Sequence, residues 1–272
     1  MSSTARETSL RLLCELGLED SHTVLFLPLT SPLIPDTFFR GIFSLRDFYK
    51  HQQDLIRSVC LSYAEKGVRF SSMDGVIICP DAVIGRGTLI GPGVQIRPGC
   101  VIGEGCVIEA GSVLSEAVIG SGCTVNASQI TSSTLESDVT VGPYTQIRPG
   151  SHIGQGCRIG DFVEIKNATL GRGTKVAHLT YIGDADVGAG VNFGCGTVVS
   201  NYDGKHKYRT VIGDDAFLGC NTNLIAPVTV EQGAYTAAGS TITETVPADS
   251  LAIARARQSN HEGWAKRHRE KD

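Results

Sequence analysis

The stretch AVIGRGTLIGPGVQIRPGCVIGEGCVIEAGSVL (residues 82–114) decides the fold. An aliphatic residue returns in it every six positions, at Ile84, Ile90, Ile96, Ile102, Ile108 and Leu114. Two positions before each stands a small or β-branched residue: Ala82, Thr88, Val94, Cys100, Cys106 and Ser112. A period of six fits neither an α-helix at 3.6 residues per turn nor a hairpin meander, but it fits a parallel β-helix of hexapeptide rungs. Three rungs make one triangular coil. The aliphatic side chain points into the prism, the small one fits the tight interior, and Gly relieves the corner. A β-sandwich would instead show period-two alternation broken by turns at irregular spacing.

The pattern continues through Val141, Ile147, Ile153, Ile159 and Ile165 and again through Ile212, Leu218, Leu224 and Val230, so residues 82–242 form one solenoid. Steps of five, from Leu114 to Ile119 and from Ile165 to Leu170, predict tightened corners. The expected organisation is an N-terminal segment (1–43), a linker helix (44–74), the β-helix (75–247) and a C-terminal arm (248–272).

Ahead of the prism, Thr4 and Glu7 have capping-box spacing, followed by Leu10, Leu13 and Cys14 and a stop at Gly17, which predicts a short helix. Residues 24–35 hold an apolar run broken by Pro28, Pro32 and Pro35, read as a short strand or extended arm. Ser44 and Asp47 open a second helix, with Phe48, Leu55, Ile56, Val59 and Tyr63 on one face and Gly67 at its end. That stripe must rest on the foot of the prism or on a neighbouring chain.

The chain has 272 residues and a net charge of −4, which gives no bulk attraction to nucleic acid. Nine Cys, three of them (Cys100, Cys106, Cys157) at interior small positions, read as reduced packing residues. No apolar run approaches the ~18 residues of a membrane span, and no basic-then-apolar leader opens the sequence, so a cytoplasmic, soluble protein is expected.

Several residues depart from the plain rung. Ile147 and Ile165 are followed by Arg148 and Lys166 instead of Gly. With no register break between them these cations stack on adjacent coils, about 4.8 Å apart. Like charges that close call for an anion, and phosphate is the obvious one. Arg97 sits at the same rung position with no such partner. His178, roughly one coil further, has the side chain suited to taking a proton near neutral pH. The polar insertion VSNYDGKHKY (residues 199–208) carries an Asp203-Gly204 turn, and loops ejected from a solenoid commonly serve binding. His152, His178 and His206 lack the close spacing of a metal site. The tail after Val246 is basic, with Arg255, Arg257, Lys266, Arg267, Arg269 and Lys271.

The strings VGPYTQIRPG (residues 141–150), GDFVEIKNATLGRGTKVAHLTYIGDADVGAGVNFGCGTVVSNYDGKHKYRTVIGDD (160–215), APVTV (226–230), AAGSTIT (237–243) and EGW (262–264) resemble the acetyltransferase half of the bacterial bifunctional GlmU family. The resemblance implies a left-handed parallel β-helix, a homotrimer, and transfer of acetyl from acetyl-CoA to glucosamine 1-phosphate. That reaction is a step toward UDP-N-acetylglucosamine for peptidoglycan and lipopolysaccharide. By motif it makes Arg148, Lys166, Tyr181 and Asn192 the sugar-phosphate contacts and His178 the base. Cys195, Asn201, Tyr202, Lys207, Cys220, Ala238 and Arg255 fall on the acetyl-CoA side. Cys195 stands where the family commonly has Ala, and Cys220 where it commonly has Ser. The Gly-rich phosphate loop of the family's uridylyltransferase half has no counterpart, so no uridylyl transfer and no metal requirement are expected, and residues 1–43 read as a possible remnant of that half. Three other readings remain at this level: an acyltransferase for another amino sugar or nucleotide sugar, a metal-dependent hydratase resembling γ-class carbonic anhydrases, and a silent scaffold.

Overall fold

The computed structural model describes residues 5–15, Leu18 and 23–270. Its body is a left-handed parallel β-helix of three flats, with eleven, ten and nine strands. We call them flat one (starting at Arg69–Phe70), flat two (from Ile77–Ile78) and flat three (from Val83–Ile84), in the order the chain meets them. Every strand pairs in parallel with one a full coil away, for example Ile96 with Leu114, Leu114 with Ile130, and Ile147 with Ile165. The hexad residues are the core: Ile90, Ile96, Ile108, Leu114, Ile147 and Ile165 are wholly buried.

The small interior position has a polar duty as well as a steric one. Thr88 Oγ1 donates to the Gly103 carbonyl at 2.8 Å and Thr174 Oγ1 to Gly188 at 2.8 Å. The thiols of Cys106, Cys123 and Cys157 do the same toward Gly120, Glu136 and Gly171 at 3.0–3.1 Å. Ser, Thr and Cys recur there because each is small and can satisfy a corner carbonyl that the ladder leaves over.

The five-residue steps are tightened corners. Where a six-residue step turns on two residues with Gly in the left-handed region, as at Gly111 (φ 72°), the short step turns on one, as at Glu116 (φ 49°) and Asn167 (φ 47°). The prism reaches beyond its hexads at both ends, since Arg69–Phe70 pairs with Leu89–Ile90 and Leu251–Ala252 with Tyr235–Thr236.

Helix α1 covers Ala5–Glu15 and helix α2 covers Leu45–Glu65. Thr4 and Gly17, read as the boundaries of the first helix, lie outside the described residues. Ser44 caps α2, its Oγ accepting from the Asp47 N–H at 3.2 Å. The stripe of α2 divides its contacts. Phe48, with Leu55 and Ile56, packs into a second core with Leu13, Leu29, Ile34, Phe38 and Phe39, while Cys60 and Tyr63 join the prism core. The Tyr63 hydroxyl donates to the Ala82 carbonyl at 2.7 Å, and burial pushes its pKa up to about 12. The run at residues 24–35 is a two-residue antiparallel hairpin, Thr23–Val24 with Leu27–Pro28. Arg6 pins the segment after the hairpin, donating to the carbonyls of Ser31 at 2.6 Å and Ile34 at 2.9 Å. No described helix is long and apolar enough to cross a membrane.

Candidate functional site

The residues singled out in the sequence gather at two corners of the prism. The first lies where flat two turns into flat three. Arg148 and Lys166 follow the paired residues Ile147 and Ile165, and the Arg148 N–H donates to the Ile165 carbonyl at 2.8 Å, so the two cations stack on adjacent coils. Arg148 reaches back to Glu164 on the coil above (Nη1 to Oε1, 2.6 Å). Lys166 meets Lys207, whose contact and charge hold the Lys166 ammonium below the usual lysine range, with Arg148 adding to the effect. Three cations therefore share one corner with the carboxylates of Glu164 and Asp184, leaving a net positive charge that an anion relieves.

Lys207 arrives there on a finger. Strands at residues 185–187 and 210–212 pair in register although the chain between them is longer than one coil, and the surplus leaves the prism as a hairpin. Tyr202 and Lys207 form its antiparallel bridge. Asp203 Oδ1 accepts the N–H groups of Lys205 and His206 at 2.7 Å each, and Tyr208 donates to Asp203 Oδ2 at 3.1 Å. The base is tied down by Asp184, which accepts from Asn167 at 2.5 Å and from buried Asn201. Burial alone would raise the Asp184 carboxyl, but those two hydrogen bonds, with Lys166 and Lys207 close by, outweigh it and hold it below the usual range. Arg209 braces the other side, its guanidinium paired with Asp186 at 2.5 and 2.6 Å. Gly183 leaves room for this cluster, since a Cβ there would strike the Tyr181 hydroxyl and Asn201 Nδ2.

The second corner lies where flat one turns into flat two. The expectation that His178 follows the cation pair by one coil is corrected: it comes two rungs after Lys166, not three, and so stands at a different edge. His178 Nδ1 lies 2.5 Å from Asp161 Oδ1, its register partner one coil below. That hydrogen bond, more than any other cause, lowers the Asp161 carboxyl below the usual range. His178, Cys195, Cys220 and Ala238 each stand two residues past an inward residue of flat one, namely Val176, Phe193, Leu218 and Thr236. Those four pair in succession, so the residues after them form a single file up the edge. Arg255 closes the file, its Cδ packing over Gly239. Asn192, on flat one beside Lys175 and Phe217, belongs with this corner and not with Tyr181, which lies across it on flat two.

Asp161, Glu164, Asn167, Asp184 and Arg209 are members of these clusters that sequence reasoning missed. Three of them carry a signal: Asp161 and His178, Asn167 and Asp184, and Asp184 and Asn201 are each one seventeen-residue coil apart. His152 lies elsewhere, on flat three, paired with Glu136 at 2.8 Å. Among the described residues no group of three or more His, Cys, Asp or Glu is arranged to hold a metal ion.

The bacterial transferase hexapeptide model (six repeats) matches residues 81–116 and 132–167, and the hexapeptide repeat of succinyl-transferase matches 209–244. The bifunctional protein GlmU of Caldicellulosiruptor saccharolyticus is 49% identical over 230 residues, which is 85% of this chain and 50% of that one. The GlmU of Clostridium acetobutylicum is 66% identical over 135 residues, 50% of this chain and 30% of that one. The chain thus spans about half the length of the curated relatives it matches. Among solved structures, an Arabidopsis UDP-N-acetylglucosamine acyltransferase is similar at 16% identity and a TM-score of 0.48, covering 69% of this chain and 70% of that one.

Proposed function

We propose that this chain, a GlmU homologue, is a glucosamine-1-phosphate N-acetyltransferase that takes its acetyl group from acetyl-CoA. The observation that carries the reading is the corner where Arg148, Lys166 and Lys207 meet, a cluster of cations that suits a phosphate. Tyr181 lies on the flat beside it and supplies a hydroxyl for the sugar. At the other corner the file from His178 to Arg255 is a track for an extended acyl donor, with the thioester at the His178 and Cys195 end and a cation at the far end.

The two corners lie at opposite ends of flat two, five residue steps apart from His178 to Gly183 with the turn at Leu179 between them, or at most roughly 15 Å along the chain. Glucosamine 1-phosphate carries its amine and its phosphate on neighbouring ring carbons, so the groups that meet them must lie close together. Setting the phosphate corner of one protomer against the His178 file of the next would bring them together, and the homotrimer expected from the three-sided prism offers such a contact. Exposed Phe217, Tyr235 and Leu251, stacked on flat one beside Asn192, offer apolar surface for such a contact.

In the reaction the unprotonated amine attacks the thioester carbonyl and a C–N bond forms. His178 Nε2 takes the amine proton, the Cys195 N–H stabilises the oxyanion, the C–S bond breaks, and CoA leaves with the proton as the free thiol. No acyl-enzyme is needed. Thiol release measured with acetyl-CoA and a panel of amino sugars tests the reading: the 1-phosphate is acetylated and unphosphorylated glucosamine is not. Equal rates on the two sugars, or preference for a nucleotide sugar, would sink it. His178→Ala is expected to lose roughly 10² to 10⁴ in turnover with little change in substrate binding. Cys195→Ala is expected to turn over normally, and a competent acetyl adduct on Cys195 seen by mass spectrometry would replace direct attack with a two-step route.

A further inference from the structure

We propose that Asp161 is the positioning residue of the His178 base: it accepts the Nδ1 proton and so leaves the Nε2 lone pair free for the substrate amine. The inference rests on the reading of His178 as the base. It deepens that reading by fixing which nitrogen does the work and what holds it.

An imidazole can take up an amine proton only at a nitrogen that is not already protonated, and in the neutral ring the partner of one nitrogen decides the state of the other. The Asp161 carboxylate is an acceptor only, and it lies 2.5 Å from Nδ1, so Nδ1 carries the proton. The two residues are Cα partners across parallel strands at residues 158–161 and 175–178, the longest strands of the prism. That pairing sets their separation by the ladder and not by a mobile loop. Both side chains keep substantial exposure, 58% for His178 and 35% for Asp161, so the imidazole faces a place that a substrate can enter.

The backbone next to the pair turns as the other corners of the prism do. Phe162 and Leu179, the residues after Asp161 and His178, both occupy the left-handed region (φ 54° and 45°), where a bulky side chain is strained. They turn the corner on adjacent coils, the Leu179 N–H donating to the Asp161 carbonyl at 3.0 Å. Both carboxylate and imidazole are thereby delivered to the same edge on successive coils. Other acids nearby are engaged elsewhere, since Glu164 is held by Arg148 at 2.6 Å.

The test compares Asp161→Leu, which keeps bulk and removes the acceptor, with Asp161→Asn, whose carbonyl oxygen can still accept from Nδ1–H. Asp161→Leu should lower kcat tenfold or more, part of the roughly 10² to 10⁴ that a positioned base supplies, with KM for the phosphorylated sugar within about twofold. Asp161→Asn should recover most of that loss. Nitrogen-15 spectra of histidine-labelled protein without substrates should show a protonated Nδ1 in the wild type and a mixture of tautomers in Asp161→Leu, a signature that owes nothing to turnover. Wild-type kcat in Asp161→Leu, or an Asn variant as slow as the Leu variant, overturns the proposal. His178→Ala separates the two levels: if it too turns over normally, the base reading has failed, whereas a slow His178→Ala beside a fast Asp161→Leu leaves the base and removes its support.

Discussion

The pentapeptide QIRPG occurs twice, at residues 95–99 and 146–150, and the two copies have the same backbone and different fates. Both place Gln and Ile on flat two and turn the next corner on Pro-Gly. Arg97 N–H donates to the Leu114 carbonyl and Arg148 N–H to the Ile165 carbonyl, each at 2.8 Å. The side chains part company. Arg97 lies over the ring of Phe26 at 5.5 Å, helping to fasten the N-terminal segment to the prism. Arg148 pairs with Glu164 and shares its corner with Lys166 and Lys207. The difference is made one coil away, where Ser115 stands above Arg97 and Lys166 above Arg148. A hexapeptide specifies a strand and a corner, and its neighbours on the adjoining coils specify what the corner is for.

The largest effect is expected at the corner of Arg148 and Lys166. Lys166→Ala should raise KM for glucosamine 1-phosphate by roughly 10- to 150-fold, the equivalent of a charge-assisted hydrogen bond at about 1.5 to 3 kcal/mol, with kcat little changed. Arg148→Ala should act in the same direction and nearer the lower figure, because Glu164 already takes part of its guanidinium. Steady-state kinetics decide the point, and an unchanged KM in both variants would make the two QIRPG corners equivalent.

A smaller effect sharpens the reason for the difference. Lys207 holds the Lys166 ammonium below the ordinary lysine range. Below that lowered value Lys166 is charged and, on the proposed reading, holds the sugar phosphate; above it the charge is lost and KM should climb. The climb should therefore begin at a lower pH than an isolated lysine would give, and Lys207→Gln should move its onset upward even though overall affinity falls. A KM–pH profile that does not move would mean that the finger does not rest on Lys166 in solution.

The smallest effect belongs to the other copy. Arg97→Ala should leave KM and kcat within about twofold while lowering Tm by roughly 2 °C, the loss of one cation–π contact worth about 0.5 to 1 kcal/mol. A kinetic defect there would assign Arg97 to a binding surface.

Much of the fold and of the site was legible in the sequence because a solenoid converts spacing into position. The hexads located the core, the five-residue steps located tightened corners, and the eighteen residues between Arg148 and Lys166 located a stacked pair. The same arithmetic, taken rung by rung, places His178 at another edge, since twelve residues are two thirds of a coil. Applied to acids it finds Asp161, one tightened coil below His178. The first strand was hidden for a local reason. Phe70 precedes Ile78 by eight residues, because residues 71–75 form a bend between the strand Arg69–Phe70 and the strand Ile77–Ile78, so Arg69–Phe70 falls outside the period. The N-terminal core had no period to read. Leu13, Leu29, Ile34 and Phe39 come together through a hairpin, a 3₁₀ turn and the grip of Arg6 on two carbonyls, all of them contacts between segments.

The seal that Tyr63 makes at the foot of the prism has a consequence for how the molecule is assembled. Each coil touches only the coils directly below and above it, so a finished coil is a complete template for the next. Because α2 precedes the prism in the chain and holds its first coil through the Tyr63 bond to Ala82, a chain emerging from the ribosome at about 5 to 20 residues per second would add one coil every second or few beside a coil already made. Such a chain would present about one coil's worth of unpaired strand edge at a time, and long-range parallel pairing would be built from short-range steps.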